Sequence, residues 1–275
     1  MSDNQGWTSP ARSGDIAPVS CREVVVRLLI LGGTGEARRL ASCLAERRDI
    51  DAEISLAGVT RAPAGLALAT RRGGFGGIAG LVRYLRRHAI DCLIDATHPF
   101  AARMSHHAVA AGRRTGIPVW RLERPAWRPQ AGDRWHPVVD TEHAAARLAD
   151  FGRHVFLTVG ARSLSAFAAV DDKDWLVRSI EPVAAAACLA RARWIEARPP
   201  FSVAEEMALL RDHAIDVLVT KNSGAATMQS KLDAARQLAV PVLMIERPTL
   251  PRPDHHFDDL AWLMAALDRH QKSAG

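Results

Sequence analysis

The sequence predicts an α/β protein of two Rossmann-like lobes, each with a parallel sheet, and a cleft between them. Three observations predict it: apolar runs alternating with helical spacing, a glycine-rich turn after the first run, and an internal repeat. A length of 275 residues suits one large or two small domains at about 150 residues each.

Residues 1–23 mix Ser, Pro, Gly, Asp and Arg without an apolar run. They read as a disordered tail that lacks the hydrophobic core of a signal peptide. Val24–Leu31 is almost continuously apolar, as a strand buried on both faces must be. Gly32-Gly33-Thr34-Gly35 breaks the run, and Glu36–Arg48 then places Ala37, Leu40, Ala41 and Leu44 on one helical face. Strands at Ala52–Ala57, Asp91–Asp95 and Pro118–Leu122 alternate with helices at Ile78–His88 and Phe100–Thr115. That alternation calls for crossover units. Arg124–Pro137, rich in Pro and Trp, reads as the link between a first lobe at 24–125 and a second at 126–275. In the second lobe, strands are expected at His154–Val159, Trp175–Ile180, Arg193–Ala197, Asp216–Thr220 and Pro241–Ile245. Helices are expected at Ser202–His213, Ala225–Leu238 and Phe257–Asp268, the first opened by a Ser202/Glu205 capping box.

The repeat supports two related lobes. His88-Ala89-Ile90-Asp91 recurs as His213-Ala214-Ile215-Asp216, and each copy leads into a strand, a polar turn and an alanine-rich helix. The copies close alike, with Glu123-Arg124-Pro125 and Glu246-Arg247-Pro248. Ligands of open parallel sheets bind beyond the carboxyl ends of the strands. The turns there, Asp95-Ala96-Thr97-His98-Pro99 and Thr220-Lys221-Asn222-Ser223-Gly224, should border one cleft.

Gly32, Gly33, Thr34, Gly35 and Glu36 open a helix straight after a strand, where backbone N–H groups can approach a pyrophosphate. The alternative is a tight structural turn, since the third glycine of the full fingerprint is Arg38. The second strand ends at Ser55 and Gly58 without an acid for a ribose hydroxyl, and offers Thr60 and Arg61 instead. This favours NADPH over NADH. Gly74, Phe75 and Gly76 suit backbone laid against a flat or phosphorylated ligand, a flexible loop being the alternative. Thr97 joins the cofactor candidates. His98 and Lys221 are the candidate proton donors; a capping or core histidine and an exposed turn lysine are the bland readings.

Other chemistry lacks a foundation. The net charge of +6 comes from scattered arginines without aromatic interleaving, which argues against nucleic acid. No apolar stretch nears the roughly 20 residues of a membrane helix. Cys21, Cys43, Cys92 and Cys188 form no C-x-x-C pair, so a reduced, cytoplasmic chain is expected. His106-His107 and His255-His256 have no Cys or acidic cluster beside them, and no metal is expected. No G-x-S-x-G elbow or P-loop lysine supports hydrolysis.

Leu31–Ala37, Ser55–Gly58, Gly73–Gly77, Asp95–Ala101 and Thr220–Gly224, in this order, resemble the precorrin-6A reductase family over residues 31 to 248. Ala225, where the family often has a second glycine, and the N-terminal extension depart from the pattern. The resemblance implies NADPH-dependent reduction of a ring double bond of precorrin-6A, giving precorrin-6B on the way to vitamin B12, without flavin or metal. It implies a macrocyclic polycarboxylate as substrate, for which Arg103, Arg162, Asn222, Ser223, His98 and Lys221 become candidate contacts. Transfer to or from neighbouring enzymes of the pathway would follow. The competing expectation is a non-catalytic, NADPH-sensing regulatory protein.

Overall fold

The computed structural model describes residues 25–56, 67–180 and 189–274. The expected tail at 1–23 lies outside the described residues. The first apolar run forms β1 (Val26–Leu31), with Leu28, Leu29 and Ile30 fully buried, as a central strand requires. It is followed by α1 (Gly35–Ala45), β2 (Ile50–Leu56), β3 (Ala69–Arg72), α2 (Gly77–Arg87), β4 (Cys92–Asp95), α3 (Ala102–Thr115) and β5 (Val119–Leu122). Then come β6 (Trp135–Val138), α4 (Thr141–Arg147), β7 (His154–Thr158), β8 (Asp174–Ser179), β9 (Ala192–Glu196) and α5 (Val203–Asp212). The chain closes with β10 (Val217–Lys221), α6 (Ser230–Gln237), β11 (Val242–Ile245), β12 (His255–Phe257) and α7 (Leu260–Ala274).

Two six-stranded sheets result, in the orders β12-β5-β4-β1-β2-β3 and β6-β11-β10-β7-β8-β9, and every pairing is parallel. The α/β class with two parallel sheets is as the sequence predicts. The repeat is reproduced at the level of single hydrogen bonds. Ala89 (φ 48°) and Ala214 (φ 45°) both take the left-handed conformation that ends a helix. Asp91 then accepts from the Arg27 amide and Asp216 from the His154 amide, each at 2.8 Å, tying equivalent strands together.

The lobe boundary departs from expectation. Residues 126–275 do not form the second lobe, because β12 pairs with β5 in the first sheet. Leu263 and Leu267 of α7 are buried in a core with Val26, Leu28 and Trp120. Conversely β6, which follows β5, pairs with β11 in the second sheet. The second lobe is therefore continuous in sequence, from β6 to β11, while the first lobe takes its last edge strand and closing helix from the C-terminal end of the chain.

Three strands escape the sequence reading, all at sheet edges. β3 (Ala-Thr-Arg-Arg) has no apolar residue beyond Ala69, and all of β6 but Val138 falls within the stretch read as a linker. Pro137 is tolerated in β6 because an edge strand need not donate on its outer side. β12 is only three residues, His255–Phe257, where a helix was expected to begin. The helix expected at Ala225–Leu238 divides into a 3-10 turn at Ala226–Met228 and α6.

Candidate functional site

The carboxyl end of β1 and the start of α1 form the glycine turn. Gly32 donates to the Ser55 carbonyl at 2.9 Å, fixing the turn on β2. Gly33 has φ 124°, and neither it nor Gly35 has an atom within 4 Å of the position a Cβ would take. Thr34 caps α1: its Oγ1 accepts from the Ala37 amide and donates to the Ala96 carbonyl at 2.9 Å. The amides of Gly33 and Thr34 find no acceptor among the described residues. Open space, unpaired N–H groups and a helix N-terminus fit a dinucleotide pyrophosphate.

Glu36 points elsewhere than expected of a cofactor contact. Its carboxylate pairs with Arg124 and, at 3.2 Å, with Arg39. Burial works to raise its pKa, but its own backbone N–H and Arg124 outweigh that and hold it below the usual range. Ser55 is buried, and its Oγ is 3.5 Å from Arg71. Gly58, Thr60 and Arg61 lie outside the described residues.

Gly74, Phe75 and Gly76 stand between β3 and α2, organised by Arg71. That guanidinium donates to the carbonyls of Gly73 and Gly74 and lies 4.0 Å from the centre of the Phe75 ring. Phe75 also meets Tyr84 edge-on, so part of its surface is spent on packing. Gly76 and Gly77 both have φ 79°.

At the end of β4, Asp95 is 2% exposed and organises the turn that follows. Its Oδ1 accepts from the Thr97 amide and hydroxyl, and its Oδ2 from Arg121 at 3.2 Å. Thr97 is thus oriented by Asp95. His98 Nδ1 accepts from the Phe100 amide, which leaves the proton on Nε2. Burial, then the charges of Arg124, Lys221 and Arg247, push its pKa down to about 4. His98 is a neutral imidazole near pH 7.

Lys221 terminates β10. Its Nζ donates to Ser163 Oγ at 2.7 Å and stands 5.3 Å from the centre of the Phe100 ring, itself 5.8 Å from the His98 ring. Burial lowers the Lys221 pKa. The structure therefore brings His98 and Lys221 together around Phe100, one from each lobe. Asn222 and Ser223 are engaged in holding the turn. Asn222 exchanges two hydrogen bonds with the Trp127 backbone, and the Ser223 carbonyl accepts from Arg124 and Arg247. Arg103, early in α3, and Arg162, in the 3-10 helix Ala161–Phe167, are exposed. Among the described residues no three His, Cys, Asp or Glu side chains group as a metal site.

Arg71, Arg124, Arg247 and Ser163 were not anticipated. The signal for two of them was present, since Arg124 and Arg247 are the central residues of the repeated Glu-Arg-Pro motif.

The profile of the precorrin-6x reductase CbiJ/CobK family matches residues 27–268. The chain belongs to the precorrin-6x reductase family. It is 47% identical over 241 residues to a precorrin-6A reductase of Rhodococcus erythropolis, covering 88% of this chain and 97% of that protein. A precorrin-6A reductase of Rhodobacter capsulatus is 46% identical over 230 residues, covering 84% and 91%. A solved structure titled CobK precorrin-6A reductase superposes with a TM-score of 0.83 at 45% identity, covering 90% of this chain and 97% of that one. As a member of a reductase family the chain is an oxidoreductase, and its chemistry implies a nicotinamide cofactor. The resemblance carried by the five motifs thus holds across both lobes.

Proposed function

We propose that the chain is a precorrin-6A reductase that uses NADPH to reduce one ring double bond, giving precorrin-6B. The observation that carries the reading is the meeting of the two strand-end turns at Phe100, beside the glycine turn of a reductase-family fold. When bound, the nicotinamide supplies hydride to one carbon of the double bond. Gly32, Gly33, Thr34 and Gly35 would hold the pyrophosphate, with Ser55, Gly74, Phe75, Gly76 and Thr97 along the rest of the cofactor. Arg71 and Arg72 lie in register with Ser55 and Leu56. They add positive charge at the end of β2, where a 2′-phosphate is expected.

The neighbouring carbon needs a proton, and the two candidates separate on charge. A histidine with pKa about 4 carries no spare proton at pH 7, so His98 serves as an Nε2 hydrogen-bond donor that orients the macrocycle. Burial makes the Lys221 ammonium more acidic than an ordinary lysine, so its Nζ, aimed by Ser163, delivers the proton. Arg103 and Arg162, on the helices after β4 and β7, provide guanidinium groups for peripheral carboxylates.

The test is anaerobic incubation with NADPH and precorrin-6A, following nicotinamide absorbance and product mass. Loss of NADPH matched by a gain of two hydrogens on the macrocycle is expected; NADPH binding without turnover would bring the sensor reading forward. Lys221→Met should lower kcat by about 100-fold or more while NADPH still binds. It should also abolish an alkaline limb of the rate profile that lies below the ordinary lysine value of 10.5. Undiminished turnover in this variant would remove Lys221 as the acid.

A further inference from the structure

The two Glu-Arg-Pro motifs lie on the two chain crossings between the lobes, and their arginines converge on one turn. Arg124 donates from Nε to the Ser223 carbonyl at 2.7 Å, and from Nη1 to Glu36 in the first turn of α1. Arg247 donates from Nε to the Asn222 carbonyl at 3.0 Å and from Nη2 to Ser223 at 3.2 Å. Its Nη1 reaches Glu123 Oε1 at 3.0 Å and the Arg124 carbonyl at 2.9 Å, so the motifs clasp each other. Gly224 completes the contact, packed so close to the Pro125 carbonyl that a Cβ there would lie 1.9 Å from it. Arg124 and Glu36 are mostly buried, with side-chain exposures of 12% and 17%.

These contacts form a continuous linkage from the glycine turn of one lobe to the Lys221 turn of the other. Glu36 is two residues from Thr34, which caps α1, and Ser223 is two residues from Lys221. A planar guanidinium with donors in fixed directions holds both ends at a set separation, which a flexible ammonium does not. Reduction of a double bond needs hydride and proton delivered to adjacent carbons, so the separation of the two turns matters to the chemistry as well as to stability.

We infer that Arg124 is a positioning residue that, with Glu36 and Arg247, sets the distance between the cofactor turn and the proton-donor turn. The inference rests on the reductase reading for its kinetic arm. It predicts that ligand bound at the glycine turn is felt at residues 222–225, through Arg124.

The experiment compares wild type, Arg124→Lys and Glu36→Gln as full chains. Lysine keeps the charge near His98 but reaches Glu36 or Ser223, not both. Turnover should fall about 100-fold, the scale of an ångström misplacement, with KM for NADPH changing less than about threefold. The primary isotope effect with NADPH deuterated at C4 should rise, because hydride transfer becomes slower relative to other steps. In amide hydrogen exchange, NADPH should protect residues 222–225 in wild type and not in Arg124→Lys.

Wild-type kcat and isotope effect in Arg124→Lys overturn the inference. So does lost activity that tracks lost folded protein while the isotope effect stays unchanged, since that is a purely structural role. If Arg124→Lys fails to fold, Glu36→Gln decides on the same criteria. Absence of turnover in wild type would sink the reductase reading instead, and the exchange comparison would still support or overturn the linkage.

Discussion

His98 is placed so that its environment fixes its protonation state. Burial is the larger cause of its depressed pKa, and the cations Arg124, Lys221 and Arg247 add to it. Between pH 6.5 and about 4 the unfolded chain binds a proton at this position that the folded chain refuses. Stability is therefore lost as pH falls through that window. His98→Asn, which can still accept from the Phe100 amide, should show a smaller drop in urea midpoint between pH 7 and pH 5 than wild type. An equal drop would mean that His98 is solvated in the folded protein. At this scale the sequence is most readable where a strand stops, and Gly33, Thr34 and Lys221 do lie at the ends of β1 and β10. The partners that hold Glu36, Asn222 and Ser223, namely Arg124, Trp127 and Arg247, are 24 to 95 residues away in sequence. No local pattern announces such pairings.

The turn between β10 and α6 shows how one element can depend on a single backbone angle. Gly224 has φ 70°, and its missing Cβ makes room for the Pro125 carbonyl and for Arg247. Gly224→Ala should cost about 1–2 kcal/mol for the left-handed conformation alone. The clash with fixed backbone comes on top, and must move either the turn or the connector. Reduced urea midpoint with kcat falling more than KM is expected. Ala225 is the informative neighbour. At φ −73° and ψ 121° it occupies extended backbone open to any residue, so an alanine there carries no backbone strain. Ala225→Gly should change stability by no more than about 1 kcal/mol, chiefly through the unfolded chain. Central strands and the capped helix α5 were legible because burial on both faces and the Ser202/Glu205 box leave local marks. The edge strands β3, β6 and β12 left none, since an exposed edge tolerates Arg, Pro and His.

Across the whole molecule, the repeat announces two lobes but not the return of the chain's end to the first of them. The pairing of β12 with β5 joins residues such as Trp120 and His255, and a three-residue polar strand has no periodicity to reveal its partner. That return has a mechanical consequence. Each chain crossing runs from one sheet into the other, so the lobes are held by two connectors, and the Glu-Arg-Pro clasp lies where they meet. A chain ending at residue 249 tests this organisation. It loses β12 and α7, and with them Leu263 and Leu267, which are 0% and 1% exposed in the first-lobe core. Burying two leucines contributes about 3–6 kcal/mol, a large part of the roughly 5–15 kcal/mol that holds a protein folded. The shortened chain keeps all six strands of the second sheet, so the damage should fall on the first lobe. NADPH binding should disappear, with amide protection lost across residues 26–122 and retained across 135–245. Had the last 26 residues belonged to the second lobe, the same cut would expose β10 and β11 and leave NADPH binding intact. Those two protection maps are opposites, which makes the position of the C-terminal helix a measurable property of the folded chain.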